Sequence, residues 1–197
     1  MKFEKEIGEI YRLKVPFMTV YTSVFLIKTD VANILVDAAT TVSDVEKCIA
    51  PALAEMGLNF SDIQYLVLSH CHEDHAGGKD RILEINPNIQ VINSLNRFES
   101  DDIELYAMKG HTSDCIGLLD KRTGTLISGD GLQGAGIGMF RCSLAEKDEY
   151  LKTIETIQKD ERIQNILFSH AYEPWYSNRA LGREAVEKCL RDCLQYV

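Results

Sequence analysis

The sequence predicts an α/β protein with helices packed on the outside of sheets. Three observations predict it. Segments of strand character and of helical periodicity follow one another as strands, helix, strand, helix, several strands, helix, strand, helix. The strand segments are short apolar runs of the kind found in buried sheets. Two of them end alike: Leu66–His70 reads LVLSH and Ile166–His170 reads ILFSH. That echo suits two sheets, each delivering a histidine at one shared edge.

Each element has a local reason. The first 40 or so residues alternate β-rich runs with polar breaks, and Val24–Lys28 and Asn33–Asp37 read as strands around a turn at Thr29–Ala32. Ser43 with Glu46 three residues on is a capping-box pattern. Val45, Ile49, Leu53 and Met56 then repeat at helical spacing until Gly57 stops them. Ile63–Ser69 reads as a buried strand, and Lys79–Ile85 as a helix ended by Asn86-Pro87. Gln90–Asn93 and Ile103–Met108 read as strands. Ile116–Asp120 and Thr125–Ser128 flank the turn residues Lys121–Gly124 and predict a hairpin. Glu146–Gln158 is helical, with Tyr150, Leu151, Ile154 and Ile157 on one side. Ile163–Ser169 is another buried-type strand. Leu181, Ala185, Cys189, Leu190 and Leu194 line one face of a last helix.

A chain of 197 residues buries roughly 70% of its unfolded surface and needs no disulfide or metal merely to fold. No linker or low-complexity stretch interrupts it, so residues 1–197 are expected to form one domain. The net charge of −9 argues against nucleic acid and against an anionic membrane surface as partners. The charged N-terminus MKFEKEIGEI lacks the apolar core of a signal peptide, and no apolar run approaches a membrane span. The six cysteines include no CxxC pair, which favours reduced thiols and a cytoplasmic location.

The chemistry concentrates in Ser69-His70-Cys71-His72-Glu73-Asp74-His75, directly after a strand. In extended backbone His70 and His72 point to the same side, so both imidazoles can reach one cation. Asp74 and His75 follow as the chain turns toward Gly77-Gly78. The other two histidines also follow strands, His111 in Lys109-Gly110-His111-Thr112 and His170 in Phe168-Ser169-His170-Ala171. Asp130 sits between Gly129 and Gly131, whose small size lets backbone come close to a metal or ligand. Placement of all five histidines at strand ends favours a common site.

In these residues the sequence resembles the metallo-β-lactamase superfamily, whose signature is His-x-His-x-Asp-His followed by a distant His, Asp and His. The resemblance implies a four-layer αββα sandwich with a dinuclear metal site at one edge. It implies that His70, His72 and His111 hold the first metal, that Asp74, His75 and His170 hold the second, and that Asp130 bridges them. Asp37 matches an early acidic position that supports the site from behind the ligands. Imidazole and carboxylate donors suit zinc, iron or manganese; two divalent ions per chain are expected, with zinc first. Two cations that share a water lower its pKa toward neutrality, and the bridging hydroxide is then a nucleophile. Asp74 would also hydrogen-bond and aim that hydroxide. Asp74 and Asp130 are therefore the expected catalytic residues. Hydrolysis of a small ester, thioester or lactone is the expected reaction.

The resemblance also narrows the substrate. The principal zinc β-lactamases lack an acidic bridge, and many are exported; this chain has Asp130 and no export signal. Glyoxalase II enzymes carry an additional C-terminal helical region, whereas 27 residues follow His170 here. Lactonases of acyl-homoserine lactones place a tyrosine after the bridging aspartate, where this chain has Gly131, Leu132 and Gln133. The transfer-RNA-processing branch needs a basic surface, and the flavodiiron branch replaces the histidine at position 72 by glutamate. Ser113-Asp114 stands where the family more often has Pro-Gly. The stretch 129–140 holds five glycines without a P-loop lysine and is read as a loop that shapes the pocket. Gln133, Phe140, Arg141 and Tyr172 are the substrate-binding candidates. A small molecule is the expected partner, with no nucleic acid and no membrane. The alternatives are a phosphodiesterase on the same site, a mononuclear iron enzyme resembling persulfide dioxygenases, and a non-catalytic binding module.

Overall fold

Val20–Lys28, the longest strand, pairs antiparallel with Ile10–Phe17 in unbroken register from Phe17↔Val20 to Ile10↔Ile27. In the computed structural model, which describes residues 1–95, 98, 100–133, 146–171, 177–195 and 197, this hairpin belongs to the first of two compact units, Met1–Asn93 and Ser94–Val197. The first unit holds β1 (Glu4–Ile7), β2 (Ile10–Phe17), β3 (Val20–Lys28), β4 (Asn33–Val36), β5 (Tyr65–Val67) and β6 (Gln90–Ile92), paired in that order. The first four are antiparallel neighbours; β5 lies parallel to both β4 and β6. Parallel neighbours need a crossover. One is made by α1 (Val42–Asp44), a π-helical stretch (Val45–Ile49) and α2 (Ala50–Glu55); the other by α3 (Glu73–Ala76) and α4 (Lys79–Ile85).

The first crossover starts two residues earlier than its capping pattern predicts. Thr41, in extended backbone, accepts from the Asp44 N–H (3.2 Å), and the Asp44 carboxylate accepts from the Thr41 N–H (2.8 Å). Thr41-Val42-Ser43-Asp44 thus closes a box before Ser43 and Glu46 can form theirs. The π-helical stretch comes just before Pro51, which has no N–H to continue an α-helical ladder. Val45, Ile49, Leu53 and Ile82 of the crossovers pack on Leu13, Leu26, Leu35 and Leu66 of the sheet. The opposite face of the sheet, with Phe25, Ile27, Val36 and Val67, is buried as well.

The second unit holds β7 (Ile103–Ala107), β8 (Ile116–Asp120), β9 (Thr125–Ile127), β10 (Asn165–Leu167) and β11 (Arg179–Leu181), in sheet order β11-β10-β9-β8-β7. The predicted hairpin joins β8 to β9. The parallel pair β9 and β10 is connected through α5 (Lys147–Lys159), and α6 (Arg183–Leu194) closes the unit. Tyr150, Ile154 and Ile157 of α5 and Val186, Cys189 and Leu190 of α6 share one core with Leu119, Leu126, Ile166 and Phe168. Leu181 is not on the last helix as its spacing predicts. It ends β11, and Gly182, at a φ of +85°, separates strand from helix while its N–H donates to Asn165 Oδ1 at 3.1 Å. Among the described residues no helix is long and apolar enough to cross a membrane.

Candidate metal centre

His70 lies three residues beyond the end of β5, and Asp37 one residue beyond the end of the parallel strand β4. Parallel strands end at the same edge of a sheet, so these two positions are neighbours by topology. Beyond β5 the chain bends at Ser69 and Cys71; His72 is in extended backbone (φ −62°, ψ 149°), and one helical turn follows in which the His75 and Ala76 N–H groups donate to the His72 carbonyl. That switch explains the spacing of the motif. Ahead of the turn, His70 Nε2 lies 3.0 Å from His72 Nδ1. The helical turn buries Asp74 and His75 and leaves Glu73 exposed, with Asp74 Oδ2 3.3 Å from His75 Nε2. His70 and His75 are buried, whereas His72 sits exposed at the rim.

Behind these rings stands a hydrogen-bonded anchor. Asp37 Oδ1 accepts from the Ser69 N–H at 2.7 Å, and Oδ2 lies 2.7 Å from His75 Nδ1 and 2.9 Å from Ser69 Oγ. Ser69 Oγ is in turn 3.1 Å from His70 Nδ1. Asp37 holds this place at a φ of +65°, a region Asp tolerates better than most residues. The Ala38 N–H donates to the His75 carbonyl at 2.7 Å and ties the loop after β4 to the histidine segment. Ser69 is the residue that sequence reasoning missed; its signal was the Ser-His repeat before both strand-end histidines.

In the second unit three donors gather differently. β7 and β9 are both antiparallel to β8, and β10 is parallel to β9, so β7, β9 and β10 run the same way and end at one edge. His111 follows β7 by four residues; Asp130 and His170 follow β9 and β10 by three. Asp130 turns one carboxylate oxygen to each imidazole: Oδ2 is 3.8 Å from His111 Nε2, and Oδ1 is 3.4 Å from His170 Nε2. Cys115, at the end of the His111 turn, contacts Thr112 Oγ1 at 3.0 Å, and burial pushes its thiol pKa up to about 12.

The donors fit a divalent cation. In the first unit the ligand atoms of His70 and His72, of His70 and His75, and of Asp74 and His75 lie within 4.8 Å of one another. Imidazole nitrogens backed by a carboxylate-bound second layer are the usual dress of zinc, iron and manganese sites. Of the substrate-binding candidates, Gln133 is buried in the second unit, and its Oε1 has no hydrogen-bond partner among the described residues. Phe140, Arg141 and Tyr172 lie outside the described residues, as does most of the glycine-rich stretch.

Comparison with known proteins agrees with this geometry. Residues 18–105 match the family model for the metallo-beta-lactamase superfamily. A beta-lactamase-like protein 2 homolog of Caenorhabditis elegans is 26% identical over 164 residues, covering 73% of this chain and 54% of that protein. A hydroxyacylglutathione hydrolase of Legionella pneumophila (strain Corby) is 23% identical over 167 residues, covering 70% of this chain and 66% of that protein. The chain thus spans between half and two thirds of the length of these relatives. Among solved structures, the FIM-1 metallo-beta-lactamase of Pseudomonas aeruginosa, in its mono-zinc form, has a TM-score of 0.74 at 16% identity, covering 98% of this chain and 95% of that one. The segment matched to the superfamily model carries the His70–His75 motif, and the likeness in fold to the FIM-1 structure runs over almost the whole chain.

Proposed function

We propose that this chain is a dinuclear metal-dependent hydrolase of a small ester, thioester or lactone. The observation that carries the reading is the His70–His75 segment, which presents three imidazoles and a carboxylate on the buried Asp37–Ser69 anchor. A segment that only stabilised a fold would not need three imidazoles and a carboxylate within six residues. His70, His72 and His111 would hold one ion, Asp74, His75 and His170 the other, with Asp130 shared between them. Zinc is the first choice, and iron and manganese suit the same donors. When bound, such ions lower the pKa of a water and polarise a scissile carbonyl.

The chain's own groups do the rest. Asp74 accepts a hydrogen bond from the attacking water and aims it. Asp37 and Ser69 keep the imidazoles from swinging. The buried Gln133 Oε1 is an acceptor that a substrate N–H or O–H would satisfy. The thioester variant draws support from the name of the Legionella relative, a hydroxyacylglutathione hydrolase. Among the described residues no cysteine is joined in a disulfide, which supports a reducing, cytoplasmic setting. The partner is a small molecule; a net charge of −9 supports neither nucleic acid nor an anionic membrane.

The test is a hydrolysis panel of lactones, thioesters, aryl esters, phosphodiesters and β-lactams, run on protein loaded separately with zinc, manganese and iron. Turnover confined to carboxylic ester-type bonds is the expected result. Turnover of phosphodiesters alone reassigns the bond, and oxygen uptake with a persulfide at one iron per chain reassigns the reaction class. A metal-replete sample inert toward the whole panel makes the chain a binding module.

A further inference from the structure

Ser69 has a single hydroxyl proton and three polar neighbours. Its Oγ lies 2.9 Å from Asp37 Oδ2, 3.1 Å from His70 Nδ1 and 3.3 Å from His75 Nδ1. Ser69, Asp37, His70 and His75 are all at most 2% exposed, so water does not compete for these bonds. An ionised carboxylate only accepts. His75 Nδ1, 2.7 Å from Asp37 Oδ2, must therefore carry a proton. The same carboxylate draws the Ser69 proton, because a bond to an ionised acceptor is about twice as strong as one between neutral groups. The hydroxyl's lone pair is then what faces His70 Nδ1, and only a protonated Nδ1 can answer it.

We propose that Ser69 is a positioning residue: held by Asp37, its hydroxyl fixes the His70 proton on Nδ1 and so commits the Nε2 lone pair to metal. The inference deepens the metal-dependent reading above and rests on it. One serine and one carboxylate thereby set the tautomer of two ligands, His70 through the hydroxyl and His75 directly. His72 is exposed, its Nδ1 lies 3.0 Å from His70 Nε2, and it serves as the internal control.

Long-range proton–nitrogen spectra of protein labelled with ¹⁵N-histidine distinguish the two tautomers. They are recorded on the full chain, metal-free and zinc-loaded, above the imidazole titration range, for wild type, Ser69→Ala and Ser69→Thr. The expected result is a proton on His70 Nδ1 in wild type and in Ser69→Thr, and a tautomer mixture in Ser69→Ala. Zinc affinity by chelator competition should fall about 10–100-fold in Ser69→Ala and recover in Ser69→Thr. A His70 proton on Nε2 in metal-free wild type overturns the proposal. So does a Ser69→Ala protein that keeps both the tautomer and the affinity. If Ser69→Ala does not fold, the wild-type and Ser69→Thr spectra decide alone. Failure of the underlying reading looks different: wild type would bind no zinc, whichever nitrogen carries the proton.

Discussion

In the first unit four donor side chains come from six consecutive residues, His70 to His75. In the second, three come from separate strand ends, at positions 111, 130 and 170. The two sets are held by different physics. The contiguous set is tied to a hydrogen-bonded anchor, Asp37 and Ser69. The dispersed set depends on the sheet, which brings the ends of β7, β9 and β10 to one edge. Local chemistry should therefore damage the first set, and packing should damage the second. Asp130 is the exception, being itself the link between the two imidazoles of its unit.

Replacing Asp130 is accordingly the most severe change. Asp130→Ala removes a carboxylate that addresses both His111 and His170. Under the proposed function, elemental analysis should find fewer than two metals per chain. Loss of several kcal/mol of charge stabilisation implies a fall in kcat/KM of about 10³-fold or more. Two metals per chain in this variant would show that the dispersed set tolerates the loss of its link.

Two glycines compare the frameworks directly. A Cβ at Gly77 would run into the Thr40 carbonyl oxygen and lie 2.5 Å from that of Glu73, backbone on both sides. A Cβ at Gly110, whose φ is +132°, would lie 2.5 Å from Tyr150 Cβ. The first clash sets the loop after β4 against the histidine segment; the second sets the His111 turn against helix α5. Gly77→Ala should cost upwards of about 3 kcal/mol, since neither carbonyl can move without breaking the clamp, and Gly110→Ala about 1–3 kcal/mol. Denaturant midpoints measure both. A larger loss at Gly110 would mean that packing, not the clamp, is the tighter constraint.

Asp37 separates hydrogen bonding from backbone strain. Asn tolerates a positive φ as Asp does, so Asp37→Asn keeps the backbone and loses the ionised acceptor shared by Ser69 and His75. The expected cost is about 1–3 kcal/mol, the price of one buried group left poorly paired. Asp37→Ala adds roughly 1 kcal/mol for the left-handed backbone. Equal thermal shifts for the two variants would remove strain from the account. Neither should disturb the dispersed set, so the thiol of Cys115 beside His111 should stay as unreactive as in wild type.

The same contrast explains what could be read in the sequence. The contiguous set was legible because a strand followed by an extended step and a helical turn fixes the directions of residues 70 to 75 from spacing alone. Each dispersed donor is locally bland; only the Ser-His echo, the Gly-Asp-Gly context and the family resemblance tied His111, Asp130 and His170 together. The early strands β1 and β2 were not separately legible, and Arg12 shows why. It lies buried in β2, its Nε 2.7 Å from Glu6, so a charged residue occupies an inward position and breaks the alternation that marks a strand. Strand β11 has three residues, two of them exposed, and left no pattern to read. The Asp37–Ser69 link joins positions 32 residues apart and depends on the parallel register of β4 and β5, which no local signal encodes.

The smallest effect belongs to an ion pair just past the C-terminal end of α5, and it serves as the control for the rest. Asp160 accepts from Arg162 Nε at 2.9 Å and Nη2 at 2.6 Å, and these bonds hold its carboxyl below the usual 3.8. A carboxyl lowered in the folded state stabilises the fold at any pH above its unfolded value, and that contribution disappears as pH falls through the folded value. Asp160→Asn should therefore leave stability at neutral pH lower by a few tenths of a kcal/mol, as for other solvent-facing pairs, and should make the variant and wild type converge on acidification below about pH 4. Glu104, which binds the same half-exposed Arg162 at 2.7 Å, limits the loss further. Metal content should not change. A drop in bound metal in Asp160→Asn would mean that the second unit transmits surface electrostatics to its strand ends, and the division between an anchored set and a sheet-held set would fail.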